Sequence, residues 1–539
     1  MKQLLERIYP VRYTAFLLCW GGFIVTLIWW YGNHASLWIV LLFAFLVVVG
    51  LRDVRQNHHA ILRNYPVIGH VRFLLEFIRP EIRQYFIESD HEAAPFSRAQ
   101  RSVVYQRAKG VSDSRPFGTQ LDVGSDGYEW MNHSVQPSSL PDQDFRITIG
   151  ANRPQPYSAS VFNISAMSFG ALSAHAILAL NLGAKRGGFA HDTGEGSISQ
   201  YHRENGGDLI WEIGSGYFGC RNLDGSFSTE KFQANATQPQ VKMIEIKLSQ
   251  GAKPGHGGVL PGAKVTPEIA AARGVAVGET CVSPSAHSAF GNPREMMLFI
   301  DQLRNLSGGK PTGFKLCIGH PWEWFAMVKA MLATGITPDF IVVDGAEGGT
   351  GAAPLEFTDH VGTPLQEGLQ LVHNTLVGVG LRDQIKLGCA GKVVTAFDMA
   401  RMMALGADWC NAARGFMLAL GCIQSQSCNT DRCPTGVATQ DPQRQQALVV
   451  PDKATRVENF HRETLHALKE LIQAAGLAHP KDIDAHHIVR RISDTEVRLL
   501  SKLIMQVPPG ALLKEPMDLP YSVFRDHWAH AHADSFQRS

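Results

Sequence analysis

Short apolar runs alternate with amphipathic stretches of ten to sixteen residues between about residue 157 and residue 420. This alternation is typical of repeated strand–helix units that build a parallel sheet. Eight strands fit the pattern: Ser160–Met167, Gly188–Asp192, Met243–Ser249, Glu279–Ser283, Gly313–Ile318, Asp339–Asp344, Ile385–Ala390 and Trp409–Ala413. Eight strands with intervening helices predict an α/β fold, a TIM (β/α)8 barrel rather than an open doubly wound sheet.

Helix-forming segments lie between the strands. We predict helices over Ser173–Arg186, Pro293–Leu306, Pro321–Thr334, Pro364–Val377 and Thr395–Leu405. The last begins with Thr395 and has Asp398 three residues later, which is close to a capping box.

Glycine-rich segments follow the strands, where a barrel of this kind carries its active site. They are Met167–Gly170, Asp192–Gly196, Gln250–Gly258, Asp344–Gly351, Ala390–Lys392 and Ala413–Gly415. Glycines after the last two strands are typical of a phosphate site, because bare backbone N–H groups can approach the anion. The alternative is that glycine merely ends strands and begins turns.

The segment Gly214–Gly219 matches the GxGxxG pattern of dinucleotide-binding loops. That fingerprint needs a helix directly after it, and Arg221–Gly225 is turn-like instead. We therefore interpret the match as coincidental.

The stretch from Tyr13 to Leu51 contains no Asp, Glu, Lys or Arg. A polar break at Tyr31–Ser36 divides it, which predicts a hairpin of two membrane-spanning helices. Basic residues flank both outer ends and the connecting loop has none, so both ends are expected in the cytoplasm. We predict a multi-pass inner-membrane protein with two spans and a cytoplasmic catalytic domain. A cleaved signal peptide and a buried pair of soluble helices are the alternatives.

Composition and pattern together divide the chain into four parts. We predict a transmembrane hairpin over 1–52, a connecting and packing segment over 53–156, the barrel over 157–440 and a mostly helical extension over 441–539. Lys and Arg number 50 against 49 Asp and Glu, a balance that gives no field to attract nucleic acid, so no nucleic-acid partner is expected. Histidine-rich pieces of the tail are interpreted as a solvated end rather than a metal site.

Three of the nine cysteines lie in one short loop, 422–433. Cys422, Cys428 and Cys433 are spaced C-x5-C-x4-C, and the predicted cytoplasmic location disfavours disulfides. Three thiolates in one loop suit an iron–sulfur cluster, and three ligands fit a three-iron cluster. A zinc site would want a fourth ligand, which the loop does not supply.

The stretch from about Asn163 to Gln440 resembles the FMN-binding synthase domain of glutamate synthase. The resemblance rests on motifs found in the same order: Ser165–Ser173, Ser249–Gly255, Leu260–Pro267, Gly348–Pro354 and Cys433–Gln440. It implies a barrel that binds FMN beside a [3Fe-4S] cluster. The implied reaction is the reductive amination of 2-oxoglutarate to glutamate by reduced FMN, through 2-iminoglutarate.

The resemblance also implies a role for individual residues. Lys247, Gln250, Lys253 and Glu195 would bind the substrate and act in catalysis. The FMN-binding residues would be Ser168, Gly170, Lys315, Gly391, Lys392, Arg414 and Gly415. The cluster would be bound by Cys422, Cys428 and Cys433. Lys315 is expected beside the pyrimidine edge of the flavin. At the FMN phosphate we expect Gly391, Lys392, Arg414 and Gly415. Such a barrel reduces an imine with a hydride from the flavin, while cations bind the two substrate carboxylates.

The sequence departs from the family pattern at His256, where Glu is more frequent, and at Val259, where a Gln helps to hold 2-oxoglutarate. Neither an amidotransferase half nor an NAD(P)H domain is recognised. Nitrogen is therefore expected from ammonia, an amine or a separate amidotransferase subunit. Electrons are expected from ferredoxin, another flavoprotein or a membrane carrier.

Three other functions stay open at this point. One is related chemistry on another amine or 2-oxo acid, such as N-methylglutamate synthesis. Another is a membrane electron-relay subunit with a degenerate pocket. A third is an FMN barrel that oxidises 2-hydroxy acids; it would use a catalytic His with an Arg pair, for which His320 is weak support, and it has no need of the cysteines.

Overall fold

The computed structural model describes residues 11–33, 36–91, 94–514 and 519–538. The chain divides into two compact units, Met1–Arg98 and Ala99–Ser539. The first unit contains the apolar segments and the second contains the barrel.

Two long apolar helices begin the first unit, Thr14–Asn33 and Leu37–Arg55. With the short turn before the first of them, they give two segments long and apolar enough to cross a membrane, Val11–Asn33 and Leu37–Arg55, with mean hydropathies of 1.7 and 2.4. The predicted hairpin is thus present as a helical pair, although residues 34–35 of its polar break lie outside the described part. Three further helical segments follow, Ala60–Asn64, Gly69–Ile82 and Arg83–Ile87.

Eight parallel strands close into a barrel in the second unit. In chain order they are β1 (Phe162–Ile164), β2 (His191–Asp192), β3 (Leu209–Ile213), β4 (Val241–Lys247), β5 (Thr312–Leu316), β6 (Phe340–Asp344), β7 (Lys386–Ala390) and β8 (Trp409–Ala412). Each strand pairs with the next, and β8 pairs with β1, so no strand edge is left open. The predicted TIM-barrel fold is confirmed.

One predicted barrel strand is wrong and one strand was missed. Glu279–Ser283 contributes only Cys281–Val282, which pairs antiparallel with Val259–Leu260 outside the barrel. The missing strand is β3, whose five residues include the charged Glu212 and therefore lack a continuous apolar run. The segment Gln250–Gly258 consequently follows the fourth barrel strand and not the third.

Helices cover the barrel. Those of the second unit run over Arg98–Lys109, Ala174–Gly187, Gln200–Glu204, Thr229–Ala236, Pro267–Arg273, Pro293–Leu306, Pro321–Thr334, Leu355–His360, Leu365–Gly378, Ala396–Ala404, Arg414–Leu420, Pro442–Gln445, Val450–Ala474 and Ser522–His527. The five predicted helices are all present, and Thr395 with Asp398 forms the capping box that satisfies the free N–H groups of the first turn.

Segments on both sides of the barrel in sequence come together in small antiparallel sheets. Glu129–Met131 pairs with Ile488–Arg491, which pairs with Val497–Leu499. A hairpin of Arg146–Ile149 and Tyr157–Ser160 precedes β1. Residues 99–156 and the tail thus belong to the same compact unit as the barrel, whereas residues 53–98 belong to the first unit.

Candidate active site

Three polar side chains meet at the C-terminal ends of β2 and β4. Lys247 Nζ lies 3.1 Å from Glu195 Oε2 and donates to Gln250 Oε1 at 2.6 Å. The Lys247 and Glu195 side chains are only 9% and 14% exposed, so water screens the pair weakly. Three of the four residues expected to serve catalysis are therefore in contact.

Lys253, the fourth, lies buried in the loop after β4. Its Nζ donates to the carbonyl oxygen of Ala352 at 3.0 Å. Burial lowers the pKa of Lys253, and the nearby Lys247 lowers it further, while Glu195 acts in the opposite direction. The Lys253 ammonium is thus close enough to Lys247 and Glu195 for their charges to act on it.

The loop after β4 is fixed to the loop after β6 by hydrogen bonds. The backbone N–H of Gly251 donates to Asp344 Oδ2 at 2.9 Å, and Gln250 Nε2 donates to Thr350 Oγ1 at 3.3 Å. A side chain at position 251 would overlap with the carbonyl oxygen of Gly345. Glycine is required there because the two loops approach backbone to backbone.

Two glycines make room for the Glu195 carboxylate. A Cβ atom at Gly214 would lie 2.8 Å from Glu195 Oε2, and one at Gly258 would overlap with Glu195 Oε1. Burial opposes ionisation of Glu195, but Lys247, Arg273 and Lys253 outweigh it, and the pKa of Glu195 falls below its usual value. Glu195 is therefore a carboxylate held between cations.

A second charged group fills the barrel interior one layer below. Lys315 of β5 forms ion pairs with Glu212 and with Glu245, the latter at 3.3 Å, and all three side chains are less than 5% exposed. Glu212 and Glu245 are in register on β3 and β4, so both carboxylates face the same ammonium. Burial disfavours the charge on Lys315, but these carboxylates outweigh burial and raise its pKa.

Asp192 at the end of β2 joins this interior group. The pKa of Asp192 is raised to about 7, mainly by burial. Lys315 acts to lower this pKa and Glu212 acts to raise it. The pKa of Glu245 is also raised well above its ordinary value, mainly by burial. The group therefore holds protons at neutral pH, since one ammonium cannot balance three buried carboxylates.

Asp192, Glu212 and Glu245 place one ligand atom each within 4.8 Å of one another, the only such group of three metal-ligating side chains in the described residues. The ammonium of Lys315 lies against two of the three carboxylates. The cation beside these carboxylates is thus the side chain of Lys315. Sequence reasoning singled out Lys315 but none of these three acidic partners.

The other residues expected around FMN lie at the ends of β1, β7 and β8. Gly391 and Lys392 are consecutive residues with positive φ, +155° and +53°, directly after β7. Arg414 and Gly415 begin the helix that follows β8, and the Arg414 guanidinium donates to the carbonyl oxygen of Thr350. Lysine and arginine side chains next to glycines are residue types suited to binding a phosphate.

Ser168 and Gly170 belong to the loop after β1. Ser168 Oγ lies 3.5 Å from a guanidinium nitrogen of Arg273, and the Gly170 carbonyl accepts from Gln440 Nε2 at 3.0 Å. Gly170 has a φ of +101°, a conformation that glycine adopts without strain. This loop therefore lies between Arg273 on one side and the end of the cysteine segment on the other.

The cysteine loop begins directly after the helix Arg414–Leu420. Cys422 Sγ accepts from the backbone N–H of Gln424 at 3.4 Å, and Cys428 Sγ lies 3.8 Å from a guanidinium nitrogen of Arg414. Burial raises the pKa of Cys422. Burial also opposes ionisation of Cys433, but backbone N–H groups of the segment after it outweigh burial and lower its pKa.

Lys264 adds a buried cation beside the loop. Its Nζ donates to the carbonyl oxygens of Ala171 at 3.1 Å and Ala438 at 2.9 Å. Burial lowers the pKa of Lys264, while Asp431, Cys428 and Cys433 act to raise it. The N–H donors at Cys433 favour its thiolate, the form in which cysteine binds metal, and Lys264 and Arg414 bring positive charge to the loop.

Several residues of the site carry no signature in the sequence. Arg273 ends the helix Pro267–Arg273, and its buried guanidinium donates to the Phe169 carbonyl at 3.1 Å. His287 Nε2 donates to the Lys247 carbonyl at 2.8 Å, and His287 Nδ1 lies 3.1 Å from the Tyr217 hydroxyl. Burial lowers the pKa of His287 to about 4, so the ring is neutral and links two loops.

Tyr217 belongs to the GxGxxG segment Gly214–Gly219, which is not directly followed by a helix, since the next one begins at Thr229. The segment instead follows β3, and its first glycine is Gly214, which makes room for Glu195. The Tyr217 hydroxyl accepts from the backbone N–H of Ala289 at 3.0 Å. The glycine pattern thus has a positioning role at the mouth of the barrel.

A closed parallel β/α barrel with charged side chains converging at the C-terminal ends of its strands is the architecture of a barrel enzyme. Residues 132–478 match the family model described as a conserved region in glutamate synthase. This chain belongs to the glutamate synthase family, a family of oxidoreductases.

Individual relatives agree with this assignment. The glutamate synthase large subunit-like protein YerD of Bacillus subtilis is 38% identical over 508 residues, which cover 87% of this chain and 96% of YerD. An archaeal-type glutamate synthase [NADPH] of Thermotoga neapolitana is 34% identical over 314 residues, 58% of this chain and 59% of that protein. The glutamate synthase [NADPH] large chain of Bacillus subtilis is 34% identical over 328 residues, only 20% of its length.

Among solved structures, a flavocytochrome b2 variant with pyruvate bound has a TM-score of 0.40 at 12% identity, over 83% of this chain and 92% of that one. A score this low supports no conclusion about the site.

Proposed function

We propose that this protein reduces 2-iminoglutarate to glutamate, and thereby catalyses the reductive amination of 2-oxoglutarate, from a membrane-anchored barrel. The observation that carries the proposal is the contact of Lys247 with Glu195 and Gln250 in one buried pocket, with Lys253 beside them. Family membership supplies the reaction class.

The pocket suits a substrate with two carboxylates. Lys247 and Lys253 are two buried cations, and Arg273 acts electrostatically on the same carboxylate, Glu195. Hydrogen bonds from charged donors to a carboxylate are short and strong in such a water-poor site. Glu195 and Gln250 both contact the Lys247 ammonium and so direct it.

FMN is the cofactor that these residues fit, and when bound it supplies the hydride for imine reduction. Lys315, held in the barrel by Glu212 and Glu245, provides the positive charge below the strand ends. Gly391, Lys392, Arg414 and Gly415 would hold the phosphate, and Ser168 and Gly170 would contact the ring system. Gly391 and Lys392 both have positive φ angles, so the chain makes a turn directly after β7.

Cys422, Cys428 and Cys433 would hold a [3Fe-4S] cluster, which supplies single electrons when bound. Arg414 lies 3.8 Å from Cys428 and also donates to Thr350 in the loop after β6. The same side chain thus contacts the cysteine loop and the mouth of the barrel. Electrons would come from ferredoxin, another flavoprotein or a membrane carrier.

The two apolar helices of the first unit would anchor the protein in the inner membrane. Their lengths and hydropathies support two spans. Arg52 and Arg55 lie in the last turn of the second helix, in keeping with a cytoplasmic location for what comes after it. A membrane anchor would favour a donor that is itself in or at the membrane.

The reaction is tested under anaerobic conditions with the purified full-length protein. Its flavin and iron–sulfur spectra are recorded, the protein is chemically reduced, and 2-oxoglutarate is added with ammonia. We expect flavin reoxidation together with stoichiometric glutamate. A preparation without flavin would overturn the proposal.

Lys253→Ala separates a catalyst from an electron relay. A catalyst loses turnover, because one of the buried cations of its pocket is gone, whereas a relay keeps electron transfer between flavin and cluster. Lys310→Ala is the matched control, since Lys310 is also buried and donates to two carbonyl oxygens, but at Ala236 and Gln238, away from the pocket.

A second substrate has one specific observation in its favour. Val259, which follows Gly258 in the chain, is apolar where the family has a Gln that helps to hold 2-oxoglutarate, and Gly258 itself lies against Glu195. Reoxidation with methylamine but not with ammonia would assign N-methylglutamate synthesis. Reoxidation only with another 2-oxo acid would assign that acid.

A further inference from the structure

The helix Gly69–Ile82 of the first unit presents an apolar face to solvent. Side chains at positions i, i+3, i+4, i+7 and i+11 are Val71, Leu74, Leu75, Ile78 and Ile82. Residues with this spacing lie on one side of an α-helix. Leu74 and Leu75 are 59% and 53% exposed, and Phe77, nearby on the helix, is 78% exposed.

A basic strip runs beside the apolar face. Arg72, Arg79 and Arg83 are spaced by seven and four residues and are all exposed. At 100° per residue this strip lies about a quarter turn from the apolar one. Arg72 pairs with Glu76 at 2.8 Å on the same strip, which leaves an excess of positive charge there.

The apolar face continues past the end of the helix. The next segment, Arg83–Ile87, includes Tyr85, Phe86 and Ile87, which are 53%, 85% and 72% exposed. An open groove of about 560 Å³ lies along the boundary, lined by Leu75 and Ile82 together with the three arginines. An exposed apolar surface of this extent indicates an interaction site rather than scattered surface residues.

Buried polar contacts fix the start of this helix to the end of the second apolar helix. Asp53, 3% exposed and near the end of Leu37–Arg55, accepts from the backbone N–H of Val67 at 2.9 Å. His70 Nε2, in the first turn of Gly69–Ile82, lies 2.9 Å from Asp53 Oδ1. The exposed apolar face therefore begins where the second span ends.

We propose that Gly69–Ile82 and the segment that follows it lie in the membrane interface, with the apolar face in the acyl region and Arg72, Arg79 and Arg83 at anionic headgroups. The proposal rests on the membrane anchoring proposed above. Long arginine side chains at the edge of an apolar face reach the headgroups while their stems stay in the apolar layer. The occupant of this face is thus a lipid surface of the membrane that the two spans cross.

The test uses the full-length protein in nanodiscs of phosphatidylcholine and phosphatidylglycerol. Spin labels are attached at Leu75→Cys on the apolar face, at Glu76→Cys on the basic strip as matched control, and at Leu27→Cys in the first span. The signal of the protein without an added cysteine is subtracted. Collision with oxygen, which concentrates in lipid, is compared with collision with a water-soluble nickel chelate.

We expect the oxygen-to-nickel ratio at position 75 to be several-fold that at position 76 and to approach that at position 27. A lipid-like ratio at 27 with a water-like ratio at 75 would overturn the interfacial helix and leave the anchoring intact. Water-like ratios at both 27 and 75 would overturn the anchoring and this proposal together. Replacing phosphatidylglycerol by phosphatidylcholine should lower the ratio at 75, and an unchanged ratio would remove the role given to the arginines.

Discussion

Lys247 Nζ lies 3.1 Å from Glu195 Oε2, although the two side chains come from strand ends that are separated by β3 in the barrel. The contact exists because Gly214, at the end of β3, leaves the space that the Glu195 carboxylate occupies. His287 fixes the other side of the pair by donating to the Lys247 carbonyl. The charge pair is therefore a product of the side-by-side arrangement of β2, β3 and β4.

Lys247→Met should weaken substrate binding. It removes a charged donor to the substrate carboxylate, a loss of about 1.5–3 kcal/mol, so we expect KM for 2-oxoglutarate to rise about ten- to a hundred-fold. Steady-state kinetics with a chemical electron donor measures it. Lys242→Met is the control, since Lys242 lies on the same strand but is 36% exposed and 3.6 Å from Asp208. Equal KM values for the two variants would contradict this role for Lys247.

Gly258→Ala should reduce activity by displacing Glu195. The added methyl group would overlap with Glu195 Oε1, and the carboxylate would have to leave Lys247. We expect kcat/KM to fall by about tenfold or more, in line with about 1.4 kcal/mol per tenfold change. Gly319→Ala, also after a barrel strand, meets no atom closer than 3.9 Å and should keep wild-type kinetics. Wild-type activity in Gly258→Ala would mean that the reaction does not need the Glu195 carboxylate at its present position.

The parts of this molecule that local pattern specifies were predictable. The five predicted helices are present because Ser173, Asn292 and Thr395 cap their first turns and prolines begin the others. Glycine-rich segments do follow the barrel strands β1, β2, β4, β6, β7 and β8, as predicted. The strand β3 was missed because Glu212 interrupts its apolar run, and the charge is tolerated only where Lys315 reaches it from β5.

Contacts between distant segments were not predictable from one sequence. Arg273, His287 and Lys264 reach the site from a helix and loops between β4 and β5, and no spacing rule links them to the strand ends. The partners of Lys315 became visible only when β3, β4 and β5 were set side by side. The roles of these residues therefore depend on contacts between segments that lie far apart in the sequence.

Asp192→Asn should change how stability depends on pH. Burial raises the pKa of Asp192 from 3.8 to about 7, so between these values the folded chain holds a proton that the unfolded chain has released. Stability from this group is therefore full below the lower value and is lost as pH rises through the upper one. Asparagine does not titrate, so the melting temperature of Asp192→Asn relative to wild type should be higher at pH 8 than at pH 5.

Thermal unfolding in detergent at both pH values measures this difference. Asp122→Asn, in an exposed loop, serves as control and should show the same difference from wild type at pH 5 and pH 8. If the melting temperature of Asp192→Asn also differs from that of wild type by the same amount at pH 5 and pH 8, Lys315 keeps Asp192 ionised over this pH range.

Lys264→Met should make the proposed iron–sulfur cluster harder to reduce. The Lys264 ammonium acts electrostatically on Cys428 and Cys433, and a nearby positive charge stabilises the more negative, reduced cluster. Its removal should shift the midpoint potential to a more negative value, as measured by a redox titration followed by electron paramagnetic resonance. Lys310→Met loses two equivalent hydrogen bonds to carbonyl oxygens elsewhere in the barrel, and its cluster potential should stay at the wild-type value. Equal potentials in both variants would place the cluster away from Lys264. Cys433→Ser would then show whether these cysteines bind the cluster at all: it should lose the cluster iron, whereas the control Cys220→Ser should retain it.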